Sequence, residues 1–239
     1  MRGVAQLSLS ELRLLTRDPA ALFFMVAFPL MLLVINGGDG GKSGEDGRAE
    51  ALVPGYIVMI LAIGGIAALP EVLAVYRERK VLRRLKATPI SPLAVLIGQV
   101  AAQLAMALAG AAVIVGVGAL GFGLDLPANP AWPVAAFLLC ALMVYSVGFL
   151  IAAVAPGGHA ASLLGLMVLF PMIFLCGAVI PREDLHANVL RIGRHLPLAH
   201  GVDALHDSWS GTPSATSLLI MAAVIVVCTA TAAVLFRWE

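Results

Sequence analysis

Arg77-Glu78-Arg79-Lys80-Val81-Leu82-Arg83-Arg84-Leu85-Lys86 carries six of the fifteen lysines and arginines in a chain of 239 residues, and the flanking stretches 51–70 and 87–124 contain no charged side chain. Three more uncharged runs occupy 19–38, 126–181 and 208–236. Lipid offers no partner to an exposed peptide group, so a bilayer core roughly 30 Å thick is crossed by about 20 apolar residues in helical form. Each run is long enough to do so. The run 126–181 accommodates two spans, because Pro156-Gly157-Gly158-His159 interrupts it: Pro removes a helix donor and Gly accepts turn geometry.

The expectation is an all-α integral membrane protein, one transmembrane domain over residues 1–239. Its six transmembrane helices are placed at approximately 19–36, 52–75, 92–121, 131–154, 160–180 and 213–236. A composition 61% hydrophobic and 12% charged excludes a disordered chain, and a net charge of +1 gives no argument for nucleic acid. Cys140, Cys176 and Cys228 fall singly in three different spans without a CxxC pair, and read as small buried hydrophobes. The first apolar run ends in Asn36-Gly37-Gly38 without a small-residue cleavage pattern, so the first span is expected to stay rather than be removed as a signal peptide.

Loop charge sets the orientation. With a cytoplasmic amino terminus, ten basic residues lie inside: Arg2, Arg13, Arg17, the six from 77 to 86, and Arg237. Lys42, Arg48, Arg182, Arg191 and Arg194 are left outside, a distribution that follows the positive-inside rule. An even number of spans returns the carboxyl terminus to the cytoplasm.

Ser8-Leu9-Ser10-Glu11 has the form of a capping box, and Leu9, Leu12 and Leu15 then share a face, which predicts an amphipathic interfacial helix before span one. Span three is the longest, starting at Ser91-Pro92, and Ala101, Ala105 and Ala109 form a small-residue stripe suited to close helix contact. Pro171 is expected to kink span five. Residues 179–212 are too long for a tight turn and too apolar for a free loop, so short helices in or dipping into the outer leaflet are expected before span six, with Trp209 as an interfacial anchor.

Several motifs compete for a chemical reading. Residues 36–43, Asn-Gly-Gly-Asp-Gly-Gly-Lys-Ser, come within one residue of a phosphate-binding loop, but a span precedes them and acidic residues follow, so a flexible outer loop is the better account. His195, His200 and His206 with Asp203 and Asp207 match no ligand spacing and read as the wet face of an interfacial helix, with no metal. Ser146 and His159 lack a third partner for hydrolysis. Glu71, at the inner end of span two, is too far from mid-membrane to couple an ion. Gln99 and Gln103, one turn apart on span three, and the Tyr56 hydroxyl in span two have two readings open: hydrogen bonds between helices, or contact with a transported molecule.

The basic segment itself has two readings. It is a juxtamembrane anchor attracted to anionic lipid at about 1 kcal/mol per basic residue, or a docking helix for an acidic partner. Here the chain resembles the ABC-2 type transporter permeases, whose loop between spans two and three reads approximately R-E-R-G-T-L-E-R-L-x-A-T-P-x-S. Arg77-Glu78-Arg79, Leu82, Arg84-Leu85 and Ala87-Thr88-Pro89-Ile90-Ser91 match it, and Lys80, Val81 and Arg83 depart from it. A second block, Cys176-Gly177-Ala178-Val179-Ile180-Pro181 with His195-Leu196-Pro197-Leu198 and Asp203-Ala204-Leu205, is similar to the family's pattern before span six.

The resemblance implies one half of an ABC exporter, in which two six-span subunits form the pathway and two separate ATPase subunits drive it. It implies that the loop between spans two and three is a cytoplasmic coupling helix, with Glu78, Arg79, Arg84 and Leu85 docking on the ATPase; Arg83 and Lys86 join them on charge alone. The chain is then a transport subunit and not an enzyme. It binds no cofactor itself, ATP and Mg residing on the partner, and sits in a bacterial plasma membrane beside a second permease subunit. Nearly uncharged spans favour a hydrophobic or amphiphilic cargo such as a drug, natural product or lipid-like molecule. The alternatives are a non-transporting membrane scaffold recruiting a cytosolic partner, and a polysaccharide or glycolipid permease of the same family. Tyr56, Gln99 and Gln103 are the candidate pathway residues.

Overall fold

Proline and glycine placement decides how the apolar helices meet. The computed structural model describes residues 19–38, 48–79, 92–179 and 186–235. The expected amphipathic helix of residues 1–18, the outer loop 39–47 and the docking segment 80–91, with Arg83, Arg84, Leu85 and Lys86, lie outside the described residues. Helix α1 covers residues 19–38, with a π-helical turn at Phe23–Ala27. Helix α2 covers residues 48–78, with a second π-helical turn at Ile63–Ala68. They are followed by α3 (Pro92–Phe122), α4 (Ala131–Val154), α5 (Gly158–Leu175), α6 (Ala187–Gly193), α7 (Pro197–Ser210) and α8 (Ala215–Leu235). There is no strand among the described residues.

Among the described residues, five helices are long and apolar enough to cross a membrane: Glu50–Glu78, Val95–Phe122, Ala131–Val154, Gly158–Leu175 and Ala215–Leu235. The apolar stretch of α1, Phe23–Gly37, is shorter. The expected boundaries shift where local chemistry stops or extends a helix. Span two runs past 75 to Glu78, where its last side chains find partners on the α4–α5 turn. Span five begins at Gly158 and stops at Leu175, before the expected 180, because Gly177 turns the chain at a φ of 84° that L side chains rarely adopt. It runs on through Pro171. Helix α8, expected as span six, starts at Ala215 because the Ser214 hydroxyl accepts from the Ser217 N–H at 3.2 Å, capping the helix one residue after Pro213.

Helix α2 is the hub, touching α1, α3, α4, α5 and α7, and its apolar window is 83% buried against 11% for α8, which lies on α4 and α7. The cause is legible in residues 63–70. Leu69 N–H bonds the Gly64 carbonyl five residues back, and Pro70 has no N–H to offer the carbonyls on the turn before it. The carbonyl oxygens left on that turn, Gly65 and Ile66, face α4 and α5 at Gly148 and Gly165. A Cβ at either glycine would overlap the facing oxygen, so the absence of side chains lets Cα–H groups approach the carbonyls closely.

The segment before span six packs into the bundle. Helix α7 lies against α2, α4 and α8, and Gly201 meets Cys140 Sγ, Met143 and Val58. Cys140 lies about 13 Å along α4 from its start at 1.5 Å per residue, so α7 reaches well inside the end of the bundle. Trp209, at its far end, donates its indole N–H to the Asp125 carbonyl at 2.8 Å. The Ala101, Ala105 and Ala109 stripe is exposed.

Candidate functional site

Two groups of residues carry chemistry, one at the α2 end that leads into residues 80–91 and one in the middle of the bundle. At the first, Arg77 Nη1 donates to the carbonyls of Ala152 at 3.1 Å and Ala153 at 3.3 Å, and Nη2 donates to the Ala155 carbonyl. These oxygens belong to the last turn of α4 and the residue beyond it, where a helix leaves carbonyls without partners and its dipole is negative. One residue on, Glu78 Oε2 accepts from the Gly158 N–H at 3.1 Å, at the positive start of α5. Each charge meets the helix end of opposite sign. The turn itself is tight: a Cβ at Gly157 would stand 3.0 Å from Glu78 Oε2, and one at Gly158 would strike Val75.

The expected docking residues are therefore not alike. Glu78 has its carboxylate on the α5 amino terminus, whereas Arg79 is exposed at the helix end. Arg77, which the sequence marks only as part of a basic cluster, is the side chain with most partners here.

The expected pathway residues separate into two places. Gln99 and Gln103, one turn apart on α3, are 1% and 0% exposed, and all four of their amide N and O atoms are buried without a hydrogen-bond partner among the described residues. Gln103 Oε1 and the Met25 methyl flank Gly64, each 3.1 Å from where a Cβ would stand. The Gln103 amide therefore lies beside the π-helical turn of α2, close to that of α1. Tyr56 is elsewhere, about 12 Å earlier along α2 at 1.5 Å per residue. Its hydroxyl accepts from Asn36 Nδ2 at 2.9 Å and donates to the Leu32 carbonyl at 3.3 Å, tying α2 to α1. That is the bond between helices left open by the sequence, and Asn36, the first residue of the near phosphate-loop motif, serves in it.

Met25 also lines a cleft of about 470 Å³ between α1, α2 and α5. Its walls include Phe24, Phe28, Leu166 and Phe170, with Glu71 and Ser162 as the polar groups. A second hollow, about 490 Å³, lies at the opposite end against Phe137, Pro133, Leu126 and Trp209, and is lined by apolar side chains. Besides the hydroxyls of Tyr56 and Tyr145, the buried polar side chains among the described residues are Gln99, Gln103, Ser146, Ser208 and Ser217, none of them charged. Ser146 donates to the Met143 carbonyl of its own helix at 2.7 Å. His195 Nδ1 lies 2.8 Å from the Arg191 carbonyl, and no group of three His, Cys, Asp or Glu among the described residues is arranged to hold a metal ion.

The family model for the ABC-2 type transporter matches residues 3–208. Two similar curated proteins are both described as Nodulation protein J. One, from Rhizobium leguminosarum bv. viciae, is 32% identical over 126 residues, 52% of this chain and 48% of that protein. The other, from Rhizobium leguminosarum bv. trifolii, is 36% identical over 107 residues, 45% of this chain and 40% of that protein. The matched stretch thus spans about half the length of these relatives or less.

Proposed function

The chain belongs to the ABC-2 type transporter family, and from that premise we propose that it is the membrane-spanning permease subunit of an exporter that moves a hydrophobic or amphiphilic molecule. Family membership implies an ABC ATPase partner, and in this reading ATP and Mg are bound there. The proposal includes six spans, with α1 as the first; a bacterial plasma membrane with both termini cytoplasmic; and a second permease subunit completing the pathway. Residues 79–86 form the docking surface for the ATPase, with Arg79, Arg83, Arg84, Leu85 and Lys86 as its contacts and Glu78 at its base.

The observation that supports the cargo class is the absence of charge among the buried polar side chains described, together with the cleft between α1, α2 and α5. A strongly charged molecule would need compensating groups along its route. The cleft instead offers phenylalanine faces and aliphatic side chains, with one carboxylate and one hydroxyl near the docking end. Gln103, beside Met25, and Gln99, one turn from it on α3, supply amide donors and acceptors without partners among the described residues, suited to the neutral polar group of an amphiphile.

The test is purification with the partner ATPase, reconstitution in liposomes, and ATP-dependent movement of the amphiphilic dye rhodamine 6G. Dye movement that stops when Arg84→Glu releases the ATPase supports the permease reading. An ATPase that binds with no ATP-dependent movement of dye or of lipid-linked sugar favours the scaffold reading, and movement of lipid-linked sugar alone favours the polysaccharide or glycolipid reading.

A further inference from the structure

We propose that Arg77 and Glu78 are positioning residues that join the docking segment to α4 and α5 at once, so that a push on residues 80–91 is delivered to both helices through the turn between them. The inference rests on the docking role proposed above, and gives the Glu78 carboxylate a partner on α5 in place of one on the ATPase. Three observations carry it. First, two adjacent side chains at the last turn of α2 hold the carbonyls of Ala152, Ala153 and Ala155 and the N–H of Gly158, so three helix ends meet in one knot. Second, Ala155 and Gly158 are buried, and their backbone polar groups would lose free energy without partners, so the knot resists opening. Third, the connection is short: α2 is helical up to Glu78, and only Arg79 separates it from the segment.

The consequence reaches the cleft. Ser162 is one turn into α5 from Gly158, and Leu166 and Phe170 follow on the same wall. Glu71, on the facing wall, is two turns before Glu78 on α2. A displacement of the knot therefore shifts the α5 wall of this cleft relative to its α1 wall. Charge-assisted bonds suit this task because they are short and directional, and because loss of one partner strands several backbone groups together.

The experiment uses the permease with its ATPase in liposomes and reads the cleft without needing to know the cargo. Ser162→Cys, in a background with Cys140, Cys176 and Cys228 replaced by alanine, is labelled by a maleimide with and without ATP and vanadate. The expected result is a nucleotide-dependent change in labelling rate that falls about tenfold in Arg77→Gln, within the usual range of coupling factors, and returns in part in Arg77→Lys. The ATPase stays bound and hydrolyses ATP in both. If Arg77→Gln keeps the full nucleotide response, the inference is wrong. If it instead releases the ATPase as Arg84→Glu does, Arg77 is a docking residue. Failure of Arg84→Glu to release the ATPase counts against the docking reading and is seen separately.

Should Arg77→Gln fail to fold, the pair Glu78→Cys and Gly157→Cys replaces the bond by a disulfide. The nucleotide response should be weak when reduced and recover on oxidation; a full response when reduced, or none when oxidised, overturns the proposal.

Discussion

Replacing Gln99 and Gln103 by methionine should make the protein more stable and a poorer transporter. Both side chains are fully enclosed, and their two amides have no partner among the described residues. An unsatisfied buried polar group costs about 1–3 kcal/mol, but hydrogen bonds between helices in lipid average only about 0.6 kcal/mol, because the unfolded reference also finds partners. Methionine keeps the unbranched shape and approximate volume, and such exchanges cost less than about 1.5 kcal/mol. The favourable term exceeds the packing loss only if both amides are truly unpaired, and the double variant then gains about 2 kcal/mol, which in a chain of this size raises the melting temperature by about 4–8 °C.

Thermal unfolding at one fixed scan rate, in the same lipid nanodisc, compares the variants through the fluorescence of Trp132, Trp209 and Trp238. Rhodamine 6G movement by the reconstituted complex is measured in parallel. A lower melting temperature with unchanged transport would refute the reasoning, since the amides would then be paired and structural. Residues retained at a cost in stability are expected to act in function.

Three further outcomes follow from particular contacts. Gly148→Ala and Gly165→Ala each place a methyl on a carbonyl oxygen of α2 and should cost about 1–3 kcal/mol; Gly116→Ala, where the space is open, should instead stabilise by about 0.5–1 kcal/mol through helix propensity, all read as melting temperature. Trp209→Phe removes the 2.8 Å bond to the Asp125 carbonyl and should cost about 1 kcal/mol, with faster amide exchange in residues 123–130 as the local sign. For orientation, a cysteine at Glu45 should react with an impermeant maleimide from outside intact cells, and one at Arg83 only after the membrane is opened; the reverse pattern would invert the topology.

The helices were legible because crossing a bilayer is a one-dimensional demand. The charge-free runs place α3 and α4 at 92–121 and 131–154, within one residue of the observed ends, since length and apolarity alone decide which segments fit. The α4–α5 break was legible for a similarly local reason, the Pro-Gly-Gly at 156–158. Gln99 and Gln103 could be picked out as polar groups in an apolar helix, but not separated from Tyr56. That separation depends on Asn36 and Leu32 standing beside Tyr56 on α1, while Met25 and Gly64 surround Gln103.

By itself the amino-acid order determined which apolar segments are helical, the ends of α3 and α4 to within a residue, and that a basic segment interrupts the apolar runs. The fold alone decided the partners: Gly65 with Gly148, Ile66 with Gly165, and Arg77 with Ala152, Ala153 and Ala155 are joined across 75 to 99 residues of chain. The physical reason is that helix formation satisfies each backbone group within four or five residues. The groups it cannot satisfy, beside Pro70 and at the ends of α4 and α5, take their partners from whichever helix packing brings near.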